Sequence, residues 1–119
     1  GVLQDSKGEP ANGFIYMIRT RACVNGNESV FKVGKTRQSF LNRMGGYDKG
    51  YETVLVMPVP ATSLDEQETQ LLGHLRQKFL PRTDYGSEYF EGELMSMTHE
   101  VLLCMASKPF PAASTSNST

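Results

Sequence analysis

Residues 13–36, GFIYMIRTRACVNGNESVFKVGKT, contain two β-forming segments with a turn signal between them. Residues 13–24 are rich in β-branched and aromatic side chains and predict a first strand. Asn25-Gly26-Asn27 tolerates positive φ, which is typical of a hairpin turn. Residues 29–33 then predict the returning strand, which a glycine ends. The stretch therefore predicts an antiparallel hairpin followed by Lys35-Thr36, where the backbone turns sharply beside an anion.

Further β and helical segments follow the hairpin. Ser39 is placed to cap a short helix that stops at Gly45-Gly46. Residues 53–59 predict a third β segment, and Pro58 and Pro60 make it either an edge strand or the end of a strand. Residues 86–92 predict a turn and a short strand. The order of segments, β-β-α-β-α-β-α, predicts an α/β fold, a small α+β sandwich on a mostly antiparallel sheet.

Two amphipathic helices are expected in the second half of the chain. Ser63 and Glu66 form a capping box at the start of the clearer helix, which Pro81 closes. The other helix spans residues 93–106. The side chains expected to face the core are Leu64, Leu71, Leu72, Leu75 and Phe79 in the first helix and Leu94, Met97, Val101, Leu102 and Met105 in the second.

Length and composition describe one soluble globular domain. The chain has 119 residues, of which 39% are hydrophobic and 21% charged, which suffices for a single core. No apolar run approaches the length of a membrane span, and no signal peptide is recognisable. We expect a leader at residues 1–12, a domain at residues 13–107 and a disordered Pro/Ser/Thr tail at residues 108–119. Cys23 and Cys104 lack metal-like spacing and predict free thiols in a reducing compartment.

The net charge of −1 argues against a general polyanion binder, but the charges are unevenly distributed. Residues 17–50 carry seven basic and two acidic side chains, whereas residues 61–100 carry three basic and eight acidic ones. The basic half is suited to phosphates and the acidic half to a cation. The simpler alternative is that both are solvated faces without a binding role.

Three side chains are candidates for chemistry. Glu68 falls within the apolar stripe of its helix, and a carboxylate facing a core is costly unless it is paired or binds a metal. Arg43 offers a planar fork of donors suited to phosphate oxygens. Tyr16 lies in the first strand. Each also has an ordinary alternative. Glu68 would then lie at the margin of the stripe, Arg43 would be a surface arginine, and Tyr16 would be a half-buried aromatic residue.

Four segments in order resemble the motifs of the GIY-YIG endonuclease superfamily. GFIY at residues 13–16 and KVG at residues 32–34 resemble its two-part signature. SFLNR at residues 39–43 resembles the arginine-bearing helix, and ETQLLGHLRQKF at residues 68–79 resembles the glutamate-bearing helix. LPRTDYGSEYFEG at residues 80–92 resembles the ending found in branches from phages and large DNA viruses, in which KVGKT stands in place of YIG.

The resemblance implies a three-stranded antiparallel sheet flanked by helices and a nuclease that uses Mg²⁺ or Mn²⁺ to cleave DNA by water attack. It assigns the metal to Glu68, the phosphate to Arg43 and the attacking water to Tyr16, which would accept the proton if nearby cations lowered its pKa. Tyr47 stands where related enzymes often have histidine or tyrosine. Lys32 occupies the tyrosine position of the second motif, where it would contact phosphate or orient a water; the alternative is an ordinary strand lysine.

The segment after the second strand is expected to bind nucleic acid. Gly34 lets the backbone approach the scissile phosphate without a Cβ, and donors follow at Lys35, Thr36 and Arg37. This is not a P-loop, because the spaced glycines before Gly-Lys-Thr are absent. We therefore predict branched or nonspecific duplex DNA as the partner, no membrane association, and an intracellular location in the cytoplasm or nucleus of a cell or an infected host. The alternatives are a nucleic-acid-binding module that lost catalysis on the same fold and a protein-interaction domain.

Overall fold

The computed structural model describes residues 12–106. The predicted tail, residues 108–119, lies outside this range, as does the predicted leader apart from Asn12. Within it, helices pack on a five-stranded antiparallel sheet in an α+β arrangement. None of the helices in this range is long and apolar enough to cross a membrane.

The two strands of the predicted hairpin pair antiparallel, but a helix connects them. β1, Asn12–Arg19, pairs with β2, Val30–Thr36. Between them lies α1, Arg21–Asn25. A strand would place Arg21 and Cys23 on one face, whereas the helix buries Cys23 and leaves Arg21 exposed. The prediction of a longer first strand is therefore wrong, and a helix rather than a tight turn alone joins the strands, although Asn27 has the positive φ, 53°, that the turn signal predicted.

β2 continues past the glycine that was predicted to end it. Gly34 lies inside β2, directly opposite Tyr16 of β1, and the pairing extends to Thr36. β3, Glu52–Pro60, pairs with the other side of β1. It is an edge strand, as its prolines predicted.

Two short strands correct the expected three-stranded sheet to five strands. β4 is Leu80–Pro81 and β5 is Tyr89–Glu91, and the strand order is β3-β1-β2-β5-β4. β5 confirms the short strand predicted within residues 86–92. β4 was not predicted, because a two-residue segment carries too little alternation and is defined only by its pairing with β5. β5 pairs with β2 only from Val30 to Lys32. Among the described residues, the second half of β2 therefore has no strand on that side.

Three further helices flank the sheet. α2, Phe40–Met44, begins after Ser39, whose Oγ accepts a hydrogen bond from the Asn42 backbone N–H at 3.1 Å. This confirms the predicted cap. α3, Leu64–Lys78, and α4, Leu94–Ala106, pack against each other.

The predicted capping box of α3 is absent. A 3₁₀ turn, Ala61–Ser63, precedes the helix and holds Ser63 at ψ 8° instead of the extended value that a capping serine needs. The Ser63 hydroxyl instead donates to the Pro60 carbonyl oxygen at 3.3 Å. The side chain of Glu66 is exposed.

β1 is buried on both faces, so helices cover both sides of the sheet centre. Ile15 and Met17 pack with side chains of α3 and α4, whereas Tyr16 and Ile18 pack with Met44 of α2. Most of the predicted helical core positions are buried, namely Leu64, Leu71, Leu72 and Leu75 in α3 and Met97 and Val101 in α4. Phe79 and Met105 are half-buried against this core. Leu94 and Leu102 were predicted to face inward but are exposed, because α4 buries only the line through Met97 and Val101.

Candidate active site

A cleft of about 230 Å³ lies beside the part of β2 that, among the described residues, has no strand on the β5 side. It contains six of the nine predicted site residues. Its lining is Tyr16, Lys32, Gly34, Lys35, Arg43, Glu68 and Glu88. Tyr16 packs on the α2 face of the sheet and Glu68 belongs to α3 on the other face. Both reach one cleft because this edge of β2 is open.

Gly34 makes room for the ring of Tyr16. A methyl group at Gly34 would lie 2.5 Å from the Tyr16 hydroxyl oxygen and 2.6 Å from its Cζ. Packed carbon atoms do not approach so closely. The reason predicted for this glycine was close approach to a phosphate. The structure gives a different reason, since the phenol ring already occupies the space above the backbone.

Tyr47 links Tyr16 to Arg43 without lining the cleft itself. The Arg43 Nη2 donates to the Tyr47 hydroxyl at 3.4 Å, and the hydroxyl oxygens of Tyr47 and Tyr16 are 3.1 Å apart. The Arg43 guanidinium also lies over the Tyr47 ring, 4.9 Å from its centroid. Tyr47 therefore positions both the guanidinium and the phenol.

The phenol of Tyr16 is protonated at neutral pH. Burial, followed by the hydrogen bond with Tyr47, raises the pKa of Tyr16 well above its ordinary value, and the charge of Arg43 offsets only part of that rise. This contradicts the expectation that neighbouring cations lower the pKa. The protonated phenol of Tyr16 can donate or accept a hydrogen bond.

Glu68 lies inside the apolar stripe of α3, as helical spacing predicted, and is 6% exposed. The Lys35 Nζ is 2.9 Å from the Glu68 Oε1 and 3.1 Å from the Asp65 Oδ1. Hydrogen bonds to Glu68 and to Asp65 raise the pKa of Lys35, so the ammonium group stays charged. A carboxylate this deeply buried requires a cationic partner, and Lys35 is that partner.

Lys32 pairs with a carboxylate to which the sequence assigned no clear role. The Lys32 Nζ is 2.8 Å from the Glu88 Oε1 and 5.7 Å from the centroid of the Tyr89 ring. Burial is the largest single influence on the pKa of Lys32 and lowers it, but the hydrogen bond and charge of Glu88 together with Tyr47 outweigh burial, so the pKa is raised. The β2–β5 pairing brings Glu88 to the cleft, and its only sequence signal was its place in the motif GSEYFEG.

Two predicted nucleic-acid contacts do not line the cleft. Thr36 is buried, and its Oγ1 accepts a hydrogen bond from the Gln38 backbone N–H at 3.0 Å. Arg37 is exposed, and its Nη2 lies 3.3 Å from the Asp65 Oδ2. Thr36 therefore shapes the turn after β2, whereas Asp65 holds both Arg37 and Lys35.

Glu68 is the residue of the cleft that suits a metal ion. The described residues contain no group of three histidine, cysteine, aspartate or glutamate side chains that could surround an ion. Mg²⁺, however, commonly keeps several waters and takes only one or two carboxylates together with substrate phosphates. The Glu68 carboxylate already holds a cationic group, the Lys35 ammonium. Its donor chemistry therefore fits a Mg²⁺ completed by water and phosphate oxygens.

Comparison with known protein families, with curated proteins and with solved structures found no match for this chain. Membership of the GIY-YIG superfamily stays a prediction drawn from the motifs.

Proposed function

We propose that this chain is a divalent-metal-dependent endonuclease of the GIY-YIG type that hydrolyses DNA phosphodiester bonds. The observation that carries the proposal is the single cleft in which Tyr16, Arg43 and Glu68 meet. Phosphodiester hydrolysis needs an oriented nucleophile, neutralisation of charge on the phosphoryl group and stabilisation of the leaving oxygen. A phenol, a guanidinium, two ammonium groups and a buried carboxylate are suited to these tasks.

Arg43 is assigned the role of binding the phosphoryl group of the scissile phosphodiester. Its guanidinium fork matches two phosphate oxygens, and it is fixed in advance by the hydroxyl and the ring of Tyr47. Fixing the fork before the substrate arrives lowers the entropy cost of reaching the reactive geometry. The ammonium groups of Lys32 and Lys35 add positive charge to the same surface.

Glu68 is assigned the metal, and Lys35 would release this carboxylate on metal binding. When bound, Mg²⁺ or Mn²⁺ supplies Lewis-acid stabilisation of the leaving 3′ oxygen. Lys35 retains Asp65 as a partner, so its ammonium group can remain next to the phosphate.

Tyr16 is assigned the attacking water, which its protonated phenol orients by hydrogen bonding. Because Tyr16 is protonated and Glu68 is assigned the metal, Glu88 is the remaining carboxylate in the cleft that can accept the proton of the water. The water oxygen bonds to phosphorus as the bond from phosphorus to the 3′ oxygen breaks, and the departing 3′ oxygen takes a proton from solvent while Glu88 returns its proton to solvent. The products are a 5′ phosphate and a 3′ hydroxyl.

Cleavage of plasmid and branched DNA with Mg²⁺ or Mn²⁺ tests this proposal. We expect the wild-type protein to cut and to lose activity in EDTA. Glu68→Gln preserves the size of the side chain and removes its charge, and it should lower the rate by about a hundredfold or more. Glu66→Gln, on the exposed side of the same helix, is the matched control and should cut like wild type.

Two results contradict the nuclease assignment. One is equal cutting by the wild-type and Glu68→Gln proteins, because the metal would then not depend on this carboxylate. The other is no cutting by the wild-type protein of any DNA tested.

A nucleic-acid-binding module without catalysis is the second candidate. The observation that favours it is the Lys35–Glu68 ion pair, which neutralises the carboxylate with an internal cation at 2.9 Å. Thermal unfolding separates the two functions, because a metal that binds only the folded protein raises its melting temperature. A Mn²⁺-dependent rise in wild type that is absent in Glu68→Gln favours the nuclease. Salt-sensitive DNA binding with neither this rise nor any cutting favours the module.

A further inference from the structure

A second cavity, of about 260 Å³, lies next to the cleft, and four of its nine lining residues are tyrosines. We call it the tyrosine pocket. Its tyrosines are Tyr47, Tyr51, Tyr85 and Tyr89, and its charged residues are Arg21 and Asp48. A concave surface with this many aromatic rings is suited to a flat ligand.

The tyrosines form two pairs that come from different segments of the chain. The rings of Tyr47 and Tyr51 have centroids 6.4 Å apart and are tilted by 56°. Those of Tyr85 and Tyr89 are stacked, with centroids 5.6 Å apart and an angle of 28°. Arg82 lies over the Tyr85 ring, 5.1 Å from its centroid. All four tyrosines are half-buried, so the rings are held by packing and remain partly accessible.

Two of the tyrosines connect the pocket with the cleft. The Tyr47 hydroxyl contacts Tyr16 and Arg43. The Tyr89 ring lies 5.7 Å from the Lys32 Nζ. A group bound in the tyrosine pocket is therefore adjacent to the residues assigned to the phosphate and the water.

The charges of the pocket favour a neutral ligand. Arg21 and Asp48 have opposite signs, and a phosphate in the pocket would meet the Asp48 carboxylate. Burial raises the pKa of Tyr85 and of Tyr89, so both phenols are neutral. A nucleobase stacks on tyrosine rings whatever its identity, and Arg21 and Asp48 can hydrogen-bond its polar edge.

A nucleobase reaches such a pocket only when it lies outside the stacked bases of the DNA duplex. Extrusion of a paired base costs unstacking and unpairing energy, which is smallest for a base that is already unpaired. Resting on the nuclease function proposed above, we propose that the tyrosine pocket binds one unpaired nucleobase beside the scissile phosphodiester. DNA with extrahelical or single-stranded nucleotides is then preferred over intact duplex.

Binding by the Glu68→Gln protein tests the pocket apart from catalysis. Fluorescence anisotropy is measured with three labelled DNAs of one sequence: an intact duplex, a duplex with a one-nucleotide bulge, and the same bulge with an abasic sugar. We expect the bulged duplex to bind at least about fivefold more tightly than the intact duplex or the abasic bulge. Neither of those two DNAs offers an unpaired base that can stack on the tyrosine rings. The comparison with the abasic DNA changes the ligand and not the protein. Its result therefore does not depend on whether a variant of the tyrosine pocket folds.

Substitutions in the tyrosine pocket identify which rings produce the preference for the bulged DNA. Tyr51→Leu and Tyr85→Leu should remove the preference for the bulge and leave binding of the intact duplex unchanged. Tyr51→Phe and Tyr85→Phe retain the rings and should retain the preference. Neither residue lines the cleft. The Tyr85 variants are expected to keep the cutting of intact duplex, whereas Tyr51 packs against Tyr47, so its variants are tested for binding only.

Equal binding of the bulged and abasic DNAs overturns the proposal for the pocket. An equal loss of binding to all three DNAs in the leucine variants overturns it as well. The nuclease function survives either result if wild type still cuts DNA and Glu68→Gln does not. A base-dependent preference without any cutting supports the pocket and removes the nuclease function.

Discussion

Burial decides what the Tyr16 side chain can do. It is 1% exposed, and its hydroxyl is bonded to that of Tyr47. A weak acid taken out of water keeps its proton unless a cation compensates. Here the nearest arginine donates its hydrogen bond to Tyr47 and not to Tyr16. The same contacts that fix the ring therefore keep it neutral, which suits orienting a water and does not suit abstracting its proton.

Cleavage is expected to show no ionisation of Tyr16 between about pH 6 and about pH 9, since its raised pKa lies above an ordinary value of about 10. Wild type and Tyr16→Phe should give parallel profiles of log rate against pH. Tyr16→Phe should be slower at every pH by about tenfold or more, because the water loses an orienting partner. Nicking rates of supercoiled plasmid measure this. An inflection in wild type that vanishes in Tyr16→Phe would mean that the phenol acts as a base after all.

At the scale of single residues, the sequence predicted where Glu68 lies but not which side chains pair with one another. Helical spacing alone placed Glu68 in the buried stripe of α3, because each turn of a helix repeats the same face. The pairing of Lys32 with Glu88 joins residues 56 positions apart, and no local pattern encodes it. The direction of the Tyr16 pKa shift could not be predicted from sequence either, because it depends on how deeply the ring is buried and on the hydroxyl of Tyr47.

At the scale of elements, α2, α3 and the long strands follow from local signals, whereas α1 does not. Residues 20–25 contain threonine, valine and cysteine, which favour a strand. They form a helix because this buries Cys23 alone and leaves its neighbours in water. The two-residue strand β4 was not predicted either, because only its pairing with β5 defines it. Elements defined by tertiary contacts are those that single-sequence patterns miss.

Gly73→Ala should stabilise α3. Gly73 lies in the interior of the helix, and a methyl group there would have nothing within 4 Å. Alanine reduces the conformational freedom of the unfolded chain and adds no clash, so the free energy of unfolding should rise by about 0.5–1 kcal/mol. Urea denaturation measures the change, and cleavage rates should match wild type. Gly34→Ala is the contrasting control, which should lose stability because the methyl group meets the Tyr16 ring. A gain of stability in both variants would show that the ring yields easily.

At the scale of the whole molecule, the basic and acidic halves of the sequence meet each other. Four ion pairs among the described residues join a base of the first half to an acid of the second. They are Lys32–Glu88, Lys35–Asp65, Lys35–Glu68 and Arg37–Asp65. Charge counting assigned the basic half to phosphates and the acidic half to a cation, but it could not show that the two halves neutralise one another. The cleft thus offers less net positive charge to a phosphate backbone than the first half alone suggests.

Asp65→Asn should strengthen DNA binding. Asp65 holds both Lys35 and Arg37, and its removal leaves their charges available to phosphates. Each additional phosphate contact steepens the slope of log affinity against log salt by about 0.9 for duplex DNA. We expect a severalfold higher affinity at low salt and a steeper slope, measured by anisotropy with the Glu68→Gln background. Glu66→Gln changes the net charge equally in the same turn and should have a smaller effect. Equal effects of the two changes would indicate that only net charge matters.

The distribution of aromatic side chains gives this protein a spectroscopic property. The chain has no tryptophan and five tyrosines, of which one lines the cleft and four line the tyrosine pocket. Its ultraviolet emission therefore originates almost wholly from one side of the molecule. Without any attached dye, quenching of this emission reports events at the two adjoining cavities.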